Sequence, residues 1–277
     1  MIRLNRSVAA LLAAFLLAAP AAANDTVASM GAGGLVLERT DGIEMRSEDL
    51  YVSAAEIRVR YRFYNRTAQD ISTIVAFPMP DLQGGLDGDV ALEEPLEMPF
   101  ATTVNGRRVA TNVEQKALLN GVDHTALLRG LGVPPSPRSN EAFVALAALP
   151  RPQVDMLVEM GLVDDRSFTE AGVRHRHVVP LWTLKTTHYW TQVFPAGREL
   201  DVRHRYVPAV GGTAGSIFGD PGLEGGEYAR EEIDRYCVDE AFQAGARRMR
   251  ERGLYLTETW VDYILTTGAN WAEPIGD

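Results

Sequence analysis

The chain has 277 residues, of which 27 are Lys or Arg and 37 are Asp or Glu, giving a formal charge of −10. That balance argues against nucleic acid and anionic membrane surfaces as partners, because phosphate binding needs concentrated Lys and Arg. The length suits one large domain or two small ones, and a hydrophobic share of 46% supplies a real core.

Residues 1–23 read as a secretory signal peptide. Arg3 and Arg6 give a positive start, Val8 to Ala19 is apolar, Pro20 breaks the run, and Ala21-Ala22-Ala23 supplies a small-x-small cleavage pattern. The apolar run is short for an uncleaved membrane anchor, the alternative reading, and no later stretch is long enough for a transmembrane segment. Cleavage after Ala23 removes two positive charges and takes the net charge from −10 to −12. The alanine-rich leader and the preference for Arg over Lys suggest a Gram-negative bacterium. The expected location is therefore periplasmic or secreted.

Leu35 to Leu37 and Ile43 to Val52 are predicted strands separated by a Thr40-Asp41-Gly42 turn. Next, Ile57, Val59, Tyr61 and Phe63 alternate with Arg58, Arg60, Arg62 and Tyr64, the period of a strand with one buried face. Asn65-Arg66-Thr67 turns the chain. Ile71 to Phe77 is a second β-branched run, stopped by Pro78 and Pro80. The simplest reading pairs these two runs antiparallel at the heart of a β-sandwich. Asp81 to Glu97 is a loop of glycines and carboxylates. Phe100 to Val109 reads as a hairpin, because Asn105-Gly106 suits the two positive φ angles of a type I′ turn.

The pattern changes at Thr111. Asn112 to Leu119 and His124 to Leu131 read as short helices, the second capped by Asp123. Ser139 caps a third, Asn140 to Leu149, and Pro152 opens a fourth that runs to about Met160. Strands resume with Val173 to Val179, Leu181 to Phe194 and Glu199 to Val207. Gly211 to Gly226 is a loop. Glu231 to Arg252 reads as one long amphipathic helix, with Ile233, Tyr236, Cys237, Ala241 and Ala244 on its apolar stripe and only Glu240 interrupting it. Thr259 to Thr266 reads as a strand.

The predicted fold class is mainly β (α+β), an antiparallel β-sandwich core with a multi-helix insertion and one long helix. The predicted division is a β part at 24–110, a helical insertion at 111–172 and a second β part at 173–277. The chain has one cysteine, Cys237. An odd cysteine in an exported protein suggests a free thiol, an intermolecular bridge, or a disulfide with a residue beyond Asp277. Because the last predicted strand lacks a following partner, a missing C-terminal piece is expected.

NDTVASMGAGGLVLERTDGIEMRSEDLYVS, the runs VAFPMPDL, VNGRRV and RYCVDEAF, and above all YILTTGANWAEPIGD resemble an uncharacterised family of exported bacterial proteins, domain-of-unknown-function 4424. The resemblance runs from about Asn24 to Asp277. It implies a second cysteine further on, and so a bridge from Cys237 to a C-terminal strand, but no activity. About Glu56 to Lys116 resembles the VIT domain of vault and inter-alpha-trypsin proteins, which implies a β-sandwich.

No motif of high specificity for catalysis or a cofactor stands out. His175-x-His177 places two imidazoles on one strand face, ~7 Å apart. With His188 and His204 on neighbouring strands they form a candidate zinc or copper set, and hence a metal-dependent hydrolase. Against this, Arg174 and Arg176 flank the pair, and His188 and His204 suit hydrogen-bonded core positions. Asp81, Asp87, Asp89, Glu93, Glu94 and Glu97 match no calcium loop. Gly211 to Ser216 lacks the lysine of a phosphate loop. The cationic stripe of Arg58, Arg60 and Arg62 fits an anionic glycan or an acidic partner, or a solvated face paired with local carboxylates. The favoured expectation is a non-enzymatic envelope module without a cofactor that binds or scaffolds a protein or glycan.

Overall fold

A computed structural model describes residues 25–85, 90–91, 100–213, 215–223, 225–273 and 275. The leader, Asn24 and the acidic residues Asp87, Asp89, Glu93, Glu94 and Glu97 lie outside the described residues.

The fold is mainly β, with two antiparallel sheets packed face to face. The strands are β1 (Thr26–Gly31), β2 (Gly34–Glu38), β3 (Ile43–Val52), β4 (Ile57–Asn65), β5 (Ile71–Pro78), β6 (Ala101–Val104), β7 (Arg107–Val109), β8 (Asn112–Leu119), β9 (Thr183–Phe194) and β10 (Glu199–Tyr206). One sheet runs β8-β9-β5-β1-β2, with short additions at Val122–Asp123 and Leu82–Gln83. The other runs β3-β4-β10-β6-β7. Ile57, Val59, Tyr61 and Phe63 of β4 face Val75 and Phe77 of β5 and Trp190 and Phe194 of β9 across the core. Each of these side chains contributes roughly 1.5–3 kcal/mol by burial, which fixes the register of its strand.

Several expectations are corrected. β4 and β5 do not pair with each other. β4 lies between β3 and β10, and β5 lies between β9 and β1, so the turn at Asn65 crosses from one sheet to the other. Asn65 is fully buried there. Its Nδ2 donates to Gln69 O and Phe194 O, both at 2.8 Å, and its Oδ1 accepts from Thr67 N and Thr67 Oγ1. Asn112 to Leu119 is a strand, not a helix, because seven rungs to β9 outweigh its helix-forming Glu, Gln, Lys, Ala and Leu. The helices of this region are α1 (Thr125–Gly130), α2 (Asn140–Ala148) and α3 (Arg151–Glu159). They pack a second core, with Leu128, Leu146, Val154 and Leu157, around Trp182 and Ala117. Ser139 caps α2 as expected, accepting from Ala142 N at 3.2 Å.

The single long helix is two helices, α4 (Glu227–Arg235) and α5 (Glu240–Glu251). α4 ends in a Schellman turn: Val238 N donates to Ile233 O (2.9 Å), Cys237 N to Asp234 O (3.3 Å), and Cys237 takes the left-handed position with φ 51°. Asp239 then caps α5, accepting from Phe242 N at 2.7 Å. Cys237 is exposed, not buried on an apolar stripe. The predicted strand at Thr259 to Thr266 shortens to Thr259–Val261 and is followed by a 3-10 turn, Thr266–Asn270. Among the described residues, no helix is long and apolar enough to cross a membrane.

Candidate functional site

Alternation that buries one face of β4 and β10 turns the other outward. Register places Arg60 directly opposite Arg203 and Arg58 directly opposite Arg205. β3 adds Asp49 beside Arg60 and Tyr51 beside Arg58, and β6 adds Thr103 beside Arg203. Arg108 of β7 pairs with Thr103 in the same rung. A concavity of about 610 Å³ is lined by Asp49, Tyr51, Arg58, Arg60, Thr103, Arg203 and Arg205.

Four guanidinium groups here share two carboxylates. Asp201 meets Arg60 Nε at 2.5 Å and Arg203 Nε at 2.6 Å. Glu56 meets Arg205 Nε at 2.6 Å and Arg58 Nε at 3.3 Å. Burial would raise the Asp201 carboxyl, but hydrogen bonds from Arg203 and Arg60 outweigh it and hold the group below the usual carboxylate range. The Arg58 guanidinium also lies 4.3 Å over the Tyr51 ring. Among the described residues Arg108 has no carboxylate partner. Like charges directly opposite across strands weaken a sheet by roughly 0.2–1 kcal/mol per pair. Two such pairs in adjacent outward rungs work against the sheet, and Asp201 and Glu56, with Asp49 beside Arg60, offset them. Guanidinium forks match carboxylate, sulfate and phosphate oxygens two at a time. An exposed aromatic ring at the edge suits a sugar or other flat apolar surface.

The four histidines of the proposed metal set do not converge. His175 stacks on Phe168 at 4.9 Å and His177 lies over Phe143 at 6.2 Å, both away from the sandwich interior. His188 and His204 do approach each other, but both stack on Phe100, at 4.0 and 5.1 Å. Among the described residues no three His, Cys, Asp or Glu side chains are gathered to hold a metal.

His204 belongs instead to a buried relay that sequence reasoning missed. Its Nε2 meets Asp25 Oδ2 at 3.1 Å and its Nδ1 meets Thr102 Oγ1 at 3.0 Å. Burial raises the Asp25 carboxyl, partly offset by His204. A hydroxyl, an imidazole and a carboxylate in sequence are the parts of a nucleophilic triad. Thr102 is only 1% exposed, however, and the relay ties the second sheet to the start of β1. No local pattern marks Asp25 or Thr102 in the sequence.

Among curated proteins nothing matches the chain. A solved Legionella pneumophila protein, provisionally assigned as nutrient-binding, is similar at 13% identity with a TM-score of 0.28; the match covers 66% of this chain and 44% of that one, so this chain spans less than half its length. The family model described as a domain of unknown function, DUF4424, matches residues 23–277, and the chain belongs to that family.

Proposed function

We propose that the protein is a non-enzymatic binding module, exported to the periplasm, whose arginine face takes an anionic glycan. The observation that carries this reading is the pair of directly opposed arginines, Arg60–Arg203 and Arg58–Arg205. A solvated decorative face has no need for them, and an anionic ligand relieves their repulsion. Tyr51 supplies a ring at the edge of the same concavity for a sugar to lie against.

The test measures binding of a uronic-acid oligosaccharide and a sulfated one against a neutral glucan of equal length. Binding of the anionic chains alone, weakening as salt rises, supports the reading. Replacing Arg60 and Arg203 together by Ser should lower the affinity at least about tenfold, the loss of about 1.4 kcal/mol. Equal binding of the neutral glucan, or an unchanged affinity in the double variant, removes it. Export rests on the leader pattern of residues 1–23. N-terminal sequencing of the protein from a periplasmic fraction should begin at Asn24; recovery of the intact leader in the cytoplasm contradicts it.

A further inference from the structure

Beyond the arginine face, a second concavity opens where the elbow between α4 and α5 folds against residues 256–260. Backbone bonds fix that segment: Ser216 N donates to Leu256 O (2.8 Å) and Thr213 N to Glu258 O (3.0 Å). The concavity holds about 520 Å³, and Phe218, Tyr236, Phe242 and Trp260 supply four aromatic rings to its wall. Three of these rings are set in place. Phe218 and Phe242 meet edge to face at 5.7 Å. Trp260 lies so close over Gly211 that a Cβ there would come within 2.1 Å of the indole nitrogen, so only glycine permits its seat. Tyr236 and Phe242 are nevertheless 59% and 49% exposed, which leaves the aromatic wall open to water.

Charge decides what such a wall accepts. The two acidic side chains lining it are Asp239 and Glu258, and no Lys, Arg or His joins them. Among the described residues neither has a cationic partner, whereas Asp201, Glu56, Asp165 and Asp220 are all held by arginines. Asp239 uses one oxygen to cap α5 and leaves the other available. Aromatic faces carry negative charge density, and together with carboxylates they attract organic cations. The volume falls within the range of small-molecule sites.

We propose that this groove is a second ligand site, for a small organic cation with an apolar body, such as an aryl-alkyl amine. The proposal stands independently of the anionic-glycan reading, since no residue is shared between the two concavities.

Cys237 lines the groove and is the only thiol in the chain, so its alkylation rate reports occupancy. The full chain is treated with a maleimide in the presence of 4-phenylbutylamine, 4-phenylbutanol or 4-phenylbutyrate. The amine should slow alkylation with saturation, and the alcohol and the acid should be about tenfold weaker or worse. Glu258→Gln, a near-isosteric change, should weaken the amine severalfold and leave the alcohol unchanged. Equal protection by all three compounds reduces the groove to an apolar patch and overturns the proposal. So does an absence of protection by the amine up to its solubility limit. Slow alkylation without ligand, together with a dimer in sedimentation, assigns the face to a second copy of the chain and overturns it as well.

Discussion

The carboxylate of Asp25 and the imidazole of His204 meet at 3.1 Å with neither side chain exposed to solvent. Rings of Tyr61, Phe77, Phe100 and Trp190 surround the imidazole with centroids 4.8–5.9 Å away. Removing Asp25 leaves His204 Nε2 without its partner in an apolar interior, with only Thr102 still bonded to the ring. Asp25→Ala should therefore cost about 3–5 kcal/mol in a urea unfolding curve. Replacing Asp25 and His204 together by Leu should cost less than either single change. A single-variant loss below about 1 kcal/mol contradicts the buried pair.

Two further groups set the pH dependence of stability in opposite directions. Burial, helped by nearby His204, holds His188 down from 6.5 to about 4. The stability tied to its neutral ring is present above 6.5 and is lost as the pH falls toward 4. Burial pushes Glu48 up from 4.5 to about 7, against a hydrogen bond from Tyr263. Its contribution is present below 4.5 and is lost as the pH rises through 7. Melting temperatures taken from pH 4 to 8 should show His188→Asn flattening the acid limb and Glu48→Gln flattening the limb toward neutrality.

Asp201 is the shared counterion of Arg60 and Arg203. Asp201→Asn should destabilise the protein by about 1 kcal/mol at low salt, with most of the loss recovered in 1 M salt, since exposed charges are screened there. The same variant should bind the anionic oligosaccharides more tightly, because the arginines lose their internal competitor. A salt-independent loss, or weaker binding, contradicts this account of the face.

Cys237 occupies a position that ordinarily belongs to glycine. Cys237→Gly should raise stability by about 1 kcal/mol in chemical denaturation, through relief of the left-handed backbone. Cys237→Val should lower it, since a β-branched side chain fits that conformation poorly. Equal stability of the two variants contradicts the Schellman geometry.

Alternation made β4, β9 and β10 legible, because a strand buried on one face writes its period directly into the chain. The turn at Asn105-Gly106 was equally legible: both residues have positive φ, 49° and 77°. Pairing was not. Whether β4 joins β5 depends on bonds from Asn65 to Phe194 O, 129 positions away, which no local window contains. Asn112 to Leu119 carries helix-forming residues, and its partner β9 lies some seventy positions downstream. The arginine stripe of β4 was visible, but Arg203 and Arg205 joined it only through register. The break at Cys237 was hidden because a cysteine replaces the glycine that usually announces a helix end.

Trp271 donates its indole N–H to Asp25 O at 2.8 Å, and Asn270 Nδ2 donates to Thr26 Oγ1 at 2.8 Å. The Trp271 ring also lies 4.5 Å from Phe63 in the middle of the sandwich. During synthesis the earliest strand thus waits for residues made 246 positions later before its core is closed. Contacts so distant along the chain make folding slow. A nascent chain of this kind stays threadable until its last described turn emerges. A ribosome-stalled fragment ending before Asn270 should accordingly remain open to protease, while release of the whole chain should confer resistance.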